Sequence, residues 1–401
     1  MKLLISTLTV ALSTTLATSA AAPSAKQLAN WLKRFPKADS NGDGRLTPKE
    51  ADAFRKQMQG TRKPSSTGRA QRGAPREFKV DPGWQKDRFP NHAIAYRTPE
   101  EIRELYAKQV GDTKAVKAYA KPTDGALRIV GTGHSFMAPG YKTFPLIAKA
   151  AGMDQPLYTH TGGGMTGSTR YKWEQENGIF QFDGKPRPKL LASVANAKWE
   201  AMMWGPYFND RPEYYTCWID FCLKYNPDMK FFLSDAWPQL YQLGEVPKSE
   251  DFFTAEIFER LGRERTAGYA ELVRSLNDTY DNRVFIMPTS DAMVLAAKHY
   301  LRGELPGIEG INRIIGKKER SLWRDHLGHL GPGFDRLEGY VFYATIYGRS
   351  PELLKQPILF RDKDDFPSPA LDRIFRKIAW QAVSNNPLSG VTDKNGDGLR
   401  D

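Results

Sequence analysis

The run Leu127-Arg-Ile-Val-Gly-Thr-Gly-His-Ser-Phe136 decides how this chain is read. An apolar stretch stops at Gly131 and Gly133, and His134-Ser135 follow at the turn. A helix-like segment comes next, from about Phe144 to Ala151. Strand, glycine turn and helix in that order place a serine at the carboxyl edge of a sheet, where open α/β sheets bind ligands. The helix that follows directs the positive end of its dipole at the same edge. An oxyanion could form there, although the same turn also serves many folds as a plain chain reversal.

Downstream, strand-like and helix-like patterns alternate. Strands are expected at Leu127–Val130, Pro156–Thr159, Trp199–Trp204, Lys230–Leu233 and Arg283–Met287. Helices are expected around Phe221–Tyr225, over Phe252–Leu276 and over Ala292–Leu301, and another ends near Tyr347. Strands separated by helices imply right-handed crossovers and a mainly parallel sheet. Upstream, Thr98-Pro-Glu-Glu101 reads as a helix start, with a Thr cap, Pro in the first turn and acids at the positive end. No internal repeat is visible.

Asp39-Ser-Asn-Gly-Asp-Gly-Arg-Leu-Thr-Pro-Lys-Glu50 fits an EF-hand calcium loop at every ligand position. Asp39, Asn41 and Asp43 supply side-chain oxygens at positions one, three and five. Gly44 makes the sharp turn, Arg45 offers its carbonyl, Thr47 sits at nine and Glu50 can bind bidentately at twelve. Helical segments flank the loop, so residues 25–59 read as a helix-loop-helix with Ca2+ as cofactor. The last residues, 391–401, carry Asp393, Asn395 and Asp397 at the spacing of the first half of such a loop. The acid at position twelve is missing, so a weak calcium site and a plain acidic tail both stand as readings.

The N-terminus has Lys2, an apolar stretch to about Leu16 and small residues up to Ala22. This is the pattern of a secretory signal peptide, residues 1–22, and it predicts a secreted or periplasmic protein. No later apolar run reaches the ~18 residues that span a bilayer. The 401 residues are enough for one large α/β domain with a small attachment, and 40% hydrophobic residues can build a sizeable core. Net charge is +12. Between Lys56 and Lys79, seven Lys or Arg stand against the single acid Glu77. Residues 60–77 thus read as a basic, flexible linker, either simply solvated or in contact with an anionic polymer or surface. Nothing resembles a nucleic-acid-binding module. Two cysteines, Cys217 and Cys222, stand five apart. On a helix that spacing points them to different faces, so two free thiols and a bridge both remain open.

Four strand ends carry polar or glycine features: Ser135, the Gly162–Gly164 run, Asn209, and the later pair Asp325 and His329. In this order they resemble the SGNH (GDSL-type) hydrolase superfamily over about Ala126 to Arg349. The resemblance implies a flavodoxin-like three-layer α/β sandwich spanning residues 78–390 and ester hydrolysis by a serine. It implies Ser135 as nucleophile, His329 as base and oxyanion donors from Ser135, Gly163 and Asn209. A serine needs a base to take its proton, and the base needs a carboxylate to orient it. Asp325 is the nearest carboxylate, although it precedes His329 by four residues where the family usually has three. His326 competes for the base role. The Gly205 to Asn209 spacing is also wider than usual. Acylated carbohydrate is the substrate class that the resemblance suggests. The alternative is a non-catalytic calcium- or glycan-binding protein on a hydrolase scaffold. Trp204, Tyr207, Trp218 and Trp237 could stack on sugar rings or pack the core, and Arg170 and Arg211 could meet an anionic substrate or surface acids.

Overall fold

The structure is a computed structural model that describes residues 28–29, 32, 38–51, 53–54, 117–161, 190–205, 212–356, 358 and 366–401. The signal-like segment, the basic linker, the Thr98 helix start, Gly163, Asn209, Arg170 and Arg211 lie outside the described residues. The chain divides into two compact units, Met1–Pro75 and Arg76–Asp401.

The larger unit is a three-layer α/β fold. Five strands form its sheet: β1 (Ile129–Gly133), β2 (Leu157–Thr161), β3 (Ala201–Trp204), β4 (Lys230–Ser234) and β5 (Val284–Met287). All pairings are parallel and the spatial order is β2-β1-β3-β4-β5, the flavodoxin-like order. The longer described helices of this unit are α1 (Ala138–Ala150), α2 (Leu190–Asn196), α3 (Pro212–Tyr225), α4 (Ala255–Tyr280), α5 (Thr289–Leu301), α6 (Phe334–Tyr347) and α7 (Pro369–Asn385). None of the described helices is long and apolar enough to cross a membrane.

Period-two alternation along the strands explains the two cores. Ile129, Met203, Phe232 and Met287 point to one face, against residues of α1, α5, α6 and α7. Val130, Met202, Trp204, Phe231, Leu233 and Ile286 point to the other, against α2, α3 and α4. Strands buried on both faces read as nearly continuous apolar runs, which is how Met202-Met-Trp204 and Phe231-Phe-Leu233 look in the sequence. Trp204, Trp218 and Trp237 are all fully buried, so they pack the core and offer no exposed sugar platform. Cys222 is a free, buried thiol pushed up by burial.

The expected elements form with shifted boundaries. β1 does not stop before its glycines but runs through Gly133. A Cβ at Gly131 would stand 2.8 Å from the Tyr141 hydroxyl. That hydroxyl lies 3.0 Å from Thr132 O and 3.1 Å from Met203 O, so it plugs the space between β1 and β3. The glycine keeps the strand and admits the tyrosine. α1 begins earlier than expected because Pro139 stands in its first turn, where a missing N–H costs nothing. α4 begins later, at Ala255, where the Thr254 hydroxyl caps Ile257 N.

α1 and α6 pack closely, and a buried acid lies between them. Glu338 accepts a 2.6 Å hydrogen bond from Gly140 N–H. Burial raises its carboxyl well above the usual range, and Asp335 pushes the same way, while the Gly140 bond opposes them. In the folded chain Glu338 therefore holds its proton at a pH where an unfolded chain releases it. The native state binds more protons, so stability falls as pH rises above the ordinary carboxylate range. Glu338→Gln should flatten this slope by up to about 1.4 kcal/mol per pH unit, the value for one proton. Urea unfolding of both proteins between about pH 5 and 8 checks it; parallel stability curves would contradict this account of Glu338.

Candidate active site

Ser135 lies two residues past β1, and Gly205 follows β3 directly. The order reverses between β1 and β3, which makes this the topological switch point of the sheet. The two glycines let the strand ends approach each other. A Cβ at Gly133 would meet Met137 Sδ at 2.9 Å, and one at Gly205 would meet it at 2.8 Å. Met137 thus fills the gap between the strands and seats the turn that carries Ser135. Ser135 itself is exposed, whereas Phe136 and Met137 beside it are buried. His134 beside it is buried, with Nδ1 accepting from Phe136 N–H at 3.3 Å.

His329 and Asp325 come from a tight turn between a short strand and α6. β6 (Gly310–Asn312) and β7 (Ser321–Trp323) form a small parallel pair apart from the main sheet. After β7 the chain doubles back: Arg324 N donates to His329 O at 2.8 Å and Gly331 N to Leu322 O at 2.7 Å. A Cβ at Gly331 would stand 1.7 Å from Ser321 O, so only glycine closes this hairpin. Asn312 Nδ2 donates to Asp325 O at 3.0 Å and ties the turn back to β6.

The turn brings three polar side chains into line. Ser135 Oγ stands 2.8 Å from His329 Nε2. His329 Nδ1 stands 2.7 Å from Asp325 Oδ2, and His329 N donates to Asp325 Oδ1 at 3.1 Å. The spacing of four residues is accommodated because the hairpin, not a helix, carries the pair. Gly328, with φ +85°, turns the chain between them. Burial alone would raise the Asp325 carboxyl, but the two bonds from His329 outweigh it and hold the carboxyl below its usual value. The acid is therefore ionised wherever the imidazole needs it. His326 is exposed on the same turn, and no bond to Ser135 involves it among the described residues.

Aromatic contacts fix the imidazole from the side. Phe136 packs edge-on against His329 with ring centroids 4.8 Å apart, and it stacks on Trp237 at 4.4 Å. Trp237 Nε1 donates to Gly328 O inside the turn. Ala236, just before, has φ +55°. Asp235 anchors this strained corner by accepting from Ser290 N at 2.9 Å and from the Thr289 hydroxyl at 3.0 Å. The Trp237–Gly328 link spans 91 residues, so no local pattern could have revealed it. The run Asp235-Ala-Trp237 directly after β4 was the only trace in the sequence.

The two acidic loops share one hydrogen-bond pattern. In the first, Gly44 N donates to Asp39 at 2.8 Å, Asp43 N to Asn41 at 3.0 Å and Arg45 N to Asp43 at 2.8 Å. In the second, Gly398 N donates to Asp393 at 3.1 Å, Asp397 N to Asn395 at 3.0 Å and Leu399 N to Asp397 at 2.8 Å. Glu50 accepts from Thr47 N–H at 3.0 Å and from its hydroxyl at 2.7 Å, a capping arrangement at the start of the following helix. The Thr47 N–H, then the Thr47 and Ser40 hydroxyls, lower the Glu50 carboxyl to about 2. The second loop is packed onto the larger unit: Ser350 N donates to Gly398 O at 2.7 Å and Trp380 Nε1 to Asp393 Oδ2 at 2.8 Å. Among the described residues no group of three or more His, Cys, Asp and Glu side chains gathers as a metal site. The donors of these loops are mixed: carboxylates, amide oxygens and backbone carbonyls.

No family model matches the chain, and no curated protein matches it. Among solved structures, a DUF4886 family protein from Bacteroides uniformis is 12% identical, over 64% of this chain and 95% of that one, with a TM-score of 0.42. A protein from Streptococcus pneumonia, provisionally named a platelet activating factor, is 11% identical, over 62% of this chain and 92% of that one, with a TM-score of 0.30. Likeness at this level carries no argument about Ser135 or His329.

Proposed function

We propose that this chain is a serine ester hydrolase of the SGNH type acting on acylated carbohydrate. The observation that carries the reading is the unbroken line from Asp325 through His329 to an exposed Ser135 at the sheet's switch point. His329 Nε2 takes the Ser135 proton as Oγ bonds to the acyl carbon. Asp325 holds the imidazole so that Nε2 is the accepting nitrogen, and it balances the imidazolium charge. The C–O bond to the alcohol then breaks and Nε2 returns the proton to the leaving oxygen. Water repeats the sequence and frees the acid. Oxyanion donors are assigned to Ser135 N–H, Gly163 N–H and the Asn209 amide, all three from the family resemblance. The test is turnover of a short acyl ester, with both alcohol and acid measured. Release of both in equal amounts, over many turnovers, supports hydrolysis. Binding of acylated glycan without turnover would favour the scaffold-protein alternative.

We propose further that Ca2+ occupies the loop from Asp39 to Glu50, through Asp39, Asn41, Asp43, the Arg45 carbonyl and Glu50. Its hard oxygen donors suit this cation. Asp393, Asn395 and Asp397 would hold a second, weaker ion. Because Trp380 bonds to Asp393, terbium bound there should give emission sensitised through Trp380. Calcium titration of the full chain should show binding at about 10⁻⁴–10⁻³ M, weakened in Glu50→Gln. The terbium signal should vanish in Asp393→Asn. A chain that takes up neither ion at several times that concentration would contradict the assignment. Residues 1–22 are proposed as a cleaved signal for secretion or the periplasm, which N-terminal sequencing of the exported protein checks.

A further inference from the structure

We infer that the Ser135 cleft holds an anion subsite centred on Arg320, so that the ester substrate carries a carboxylate or sulfate group near the acyl group it loses. This deepens the esterase reading and rests on it.

The cleft that contains Ser135 has a volume of about 980 Å³. Its lining includes four cationic side chains, Lys142, Arg313, Arg320 and Arg324, against two carboxylates, Glu319 and Asp335, a surplus of two positive charges. The pairing of these groups singles out one of them. Arg313 meets Glu319 at 3.1 Å, and Lys142 lies 3.9 Å from Asp335. Arg324 lies 3.8 Å from Asp325, whose carboxylate is already bonded to His329. Among the described residues, no carboxylate pairs with the Arg320 guanidinium. It stacks instead on Phe366, 4.6 Å from the ring centroid.

That arrangement suits ligand binding better than it suits fold stability. Stacking covers one face of the guanidinium and leaves its in-plane N–H donors free. Arg320 is half-buried, so part of its side-chain freedom is already lost before a ligand arrives. Guanidinium donors bind the paired oxygens of a carboxylate or a sulfate in the same bidentate way. Arg324 and Arg313 line the same cleft, each beside a carboxylate. A neutral acyl glycan would leave this charge uncompensated, whereas an acidic one would neutralise it.

Three esters of one sugar test the proposal on the full chain: methyl glucoside, the methyl glycoside of glucuronic acid with its carboxylate free, and methyl glucoside 6-sulfate, each acetylated at the same hydroxyl. Both anionic esters should be preferred over the neutral one in kcat/KM, chiefly through KM. The preference should drop roughly 10- to 100-fold in Arg320→Gln, the range of a hydrogen bond to a charged group. Arg320→Lys should recover only part of it, because the charge returns without the planar fork. The preference should also shrink in high salt. Preference for only one of the two anions would assign the subsite to that group. Equal kcat/KM on all three esters, or an unchanged ratio in Arg320→Gln, would overturn the subsite while leaving the esterase reading intact. If no ester turns over, binding decides: Ser135→Ala is titrated with an oligoglucuronate and a neutral oligosaccharide of equal length. Arg320-dependent binding of the acidic one supports the subsite, and its absence overturns it.

Discussion

Ser135→Ala should lower kcat on any ester substrate by about 10⁶-fold, because no other group on this turn can form the acyl intermediate. Ser135 is exposed, and its side chain bonds to His329 rather than filling either core. The fold should therefore survive, with stability changed by no more than about 0.5 kcal/mol. That separation makes the variant informative: activity goes and the unfolding midpoint stays. His329→Ala should cost as much, and the double variant little more, since the pair acts as one unit. The loss in His329→Ala carries a structural contribution too, because the imidazole edge supports Phe136 and, through it, Trp237. Comparing the two variants by thermal unfolding distinguishes chemistry from packing. Additive losses in the double variant would mean that serine and histidine act separately.

Asp325→Asn should lower kcat roughly 10⁴-fold while leaving the turn folded. The backbone bond from His329 N to the side-chain oxygen at 3.1 Å can be kept by an amide carbonyl. The second contact, at 2.7 Å to Nδ1, cannot be kept in the same sense. An amide N–H facing Nδ1 reverses the tautomer, places the proton on Nε2 and removes the acceptor that Ser135 needs. The carboxylate's own titration adds a pH signature. Its folded value lies below the ordinary one despite partial burial, because the two His329 bonds favour the charged form. The interaction is fully present above the ordinary carboxylate value and is lost as pH falls through the lowered one. Turnover of the native protein should not show the loss of Asp325 until pH falls below the ordinary carboxylate range. Kinetics of both proteins from about pH 3 to 8 check this. A mild, twofold effect of the substitution would show that Asp325 is not the orienting acid.

The sheet was legible because its strands are short apolar runs bounded by turn residues, and their faces alternate cleanly at Val130, Met202, Met203 and Phe232. Ser135 was legible as a polar residue on a glycine turn after such a run. His329 and Asp325 were legible only as a pair on a loop before a helix; the hairpin that lines them up depends on bonds between Arg324 and His329, and between Gly331 and Leu322, that follow no local period. β1 was read as ending before its glycines, because glycine weakens a strand in isolation. The space those glycines leave for Tyr141 and Met137 is a tertiary fact. Helix α7 and the strand pair β6–β7 were not anticipated. β6 and β7 are three residues each, too short to show alternation, and their stability comes in part from Glu250, which accepts from both Ile311 N and Asn312 N at 2.7 Å. The supporting role of Trp237 and the stacking of Arg320 also needed three dimensions, since their partners, Gly328 and Phe366, are far away in sequence.

An activated Ser135 should be captured covalently by a phosphonylating reagent. The full chain is treated with an alkyl fluorophosphonate and the adduct is located by mass spectrometry of its peptides. One phosphonyl group per chain is expected, on Ser135, with labelling abolished in Ser135→Ala and strongly slowed in His329→Ala and Asp325→Asn. A folded chain that stays unlabelled, or labels elsewhere at the same rate with Ser135 removed, would contradict it.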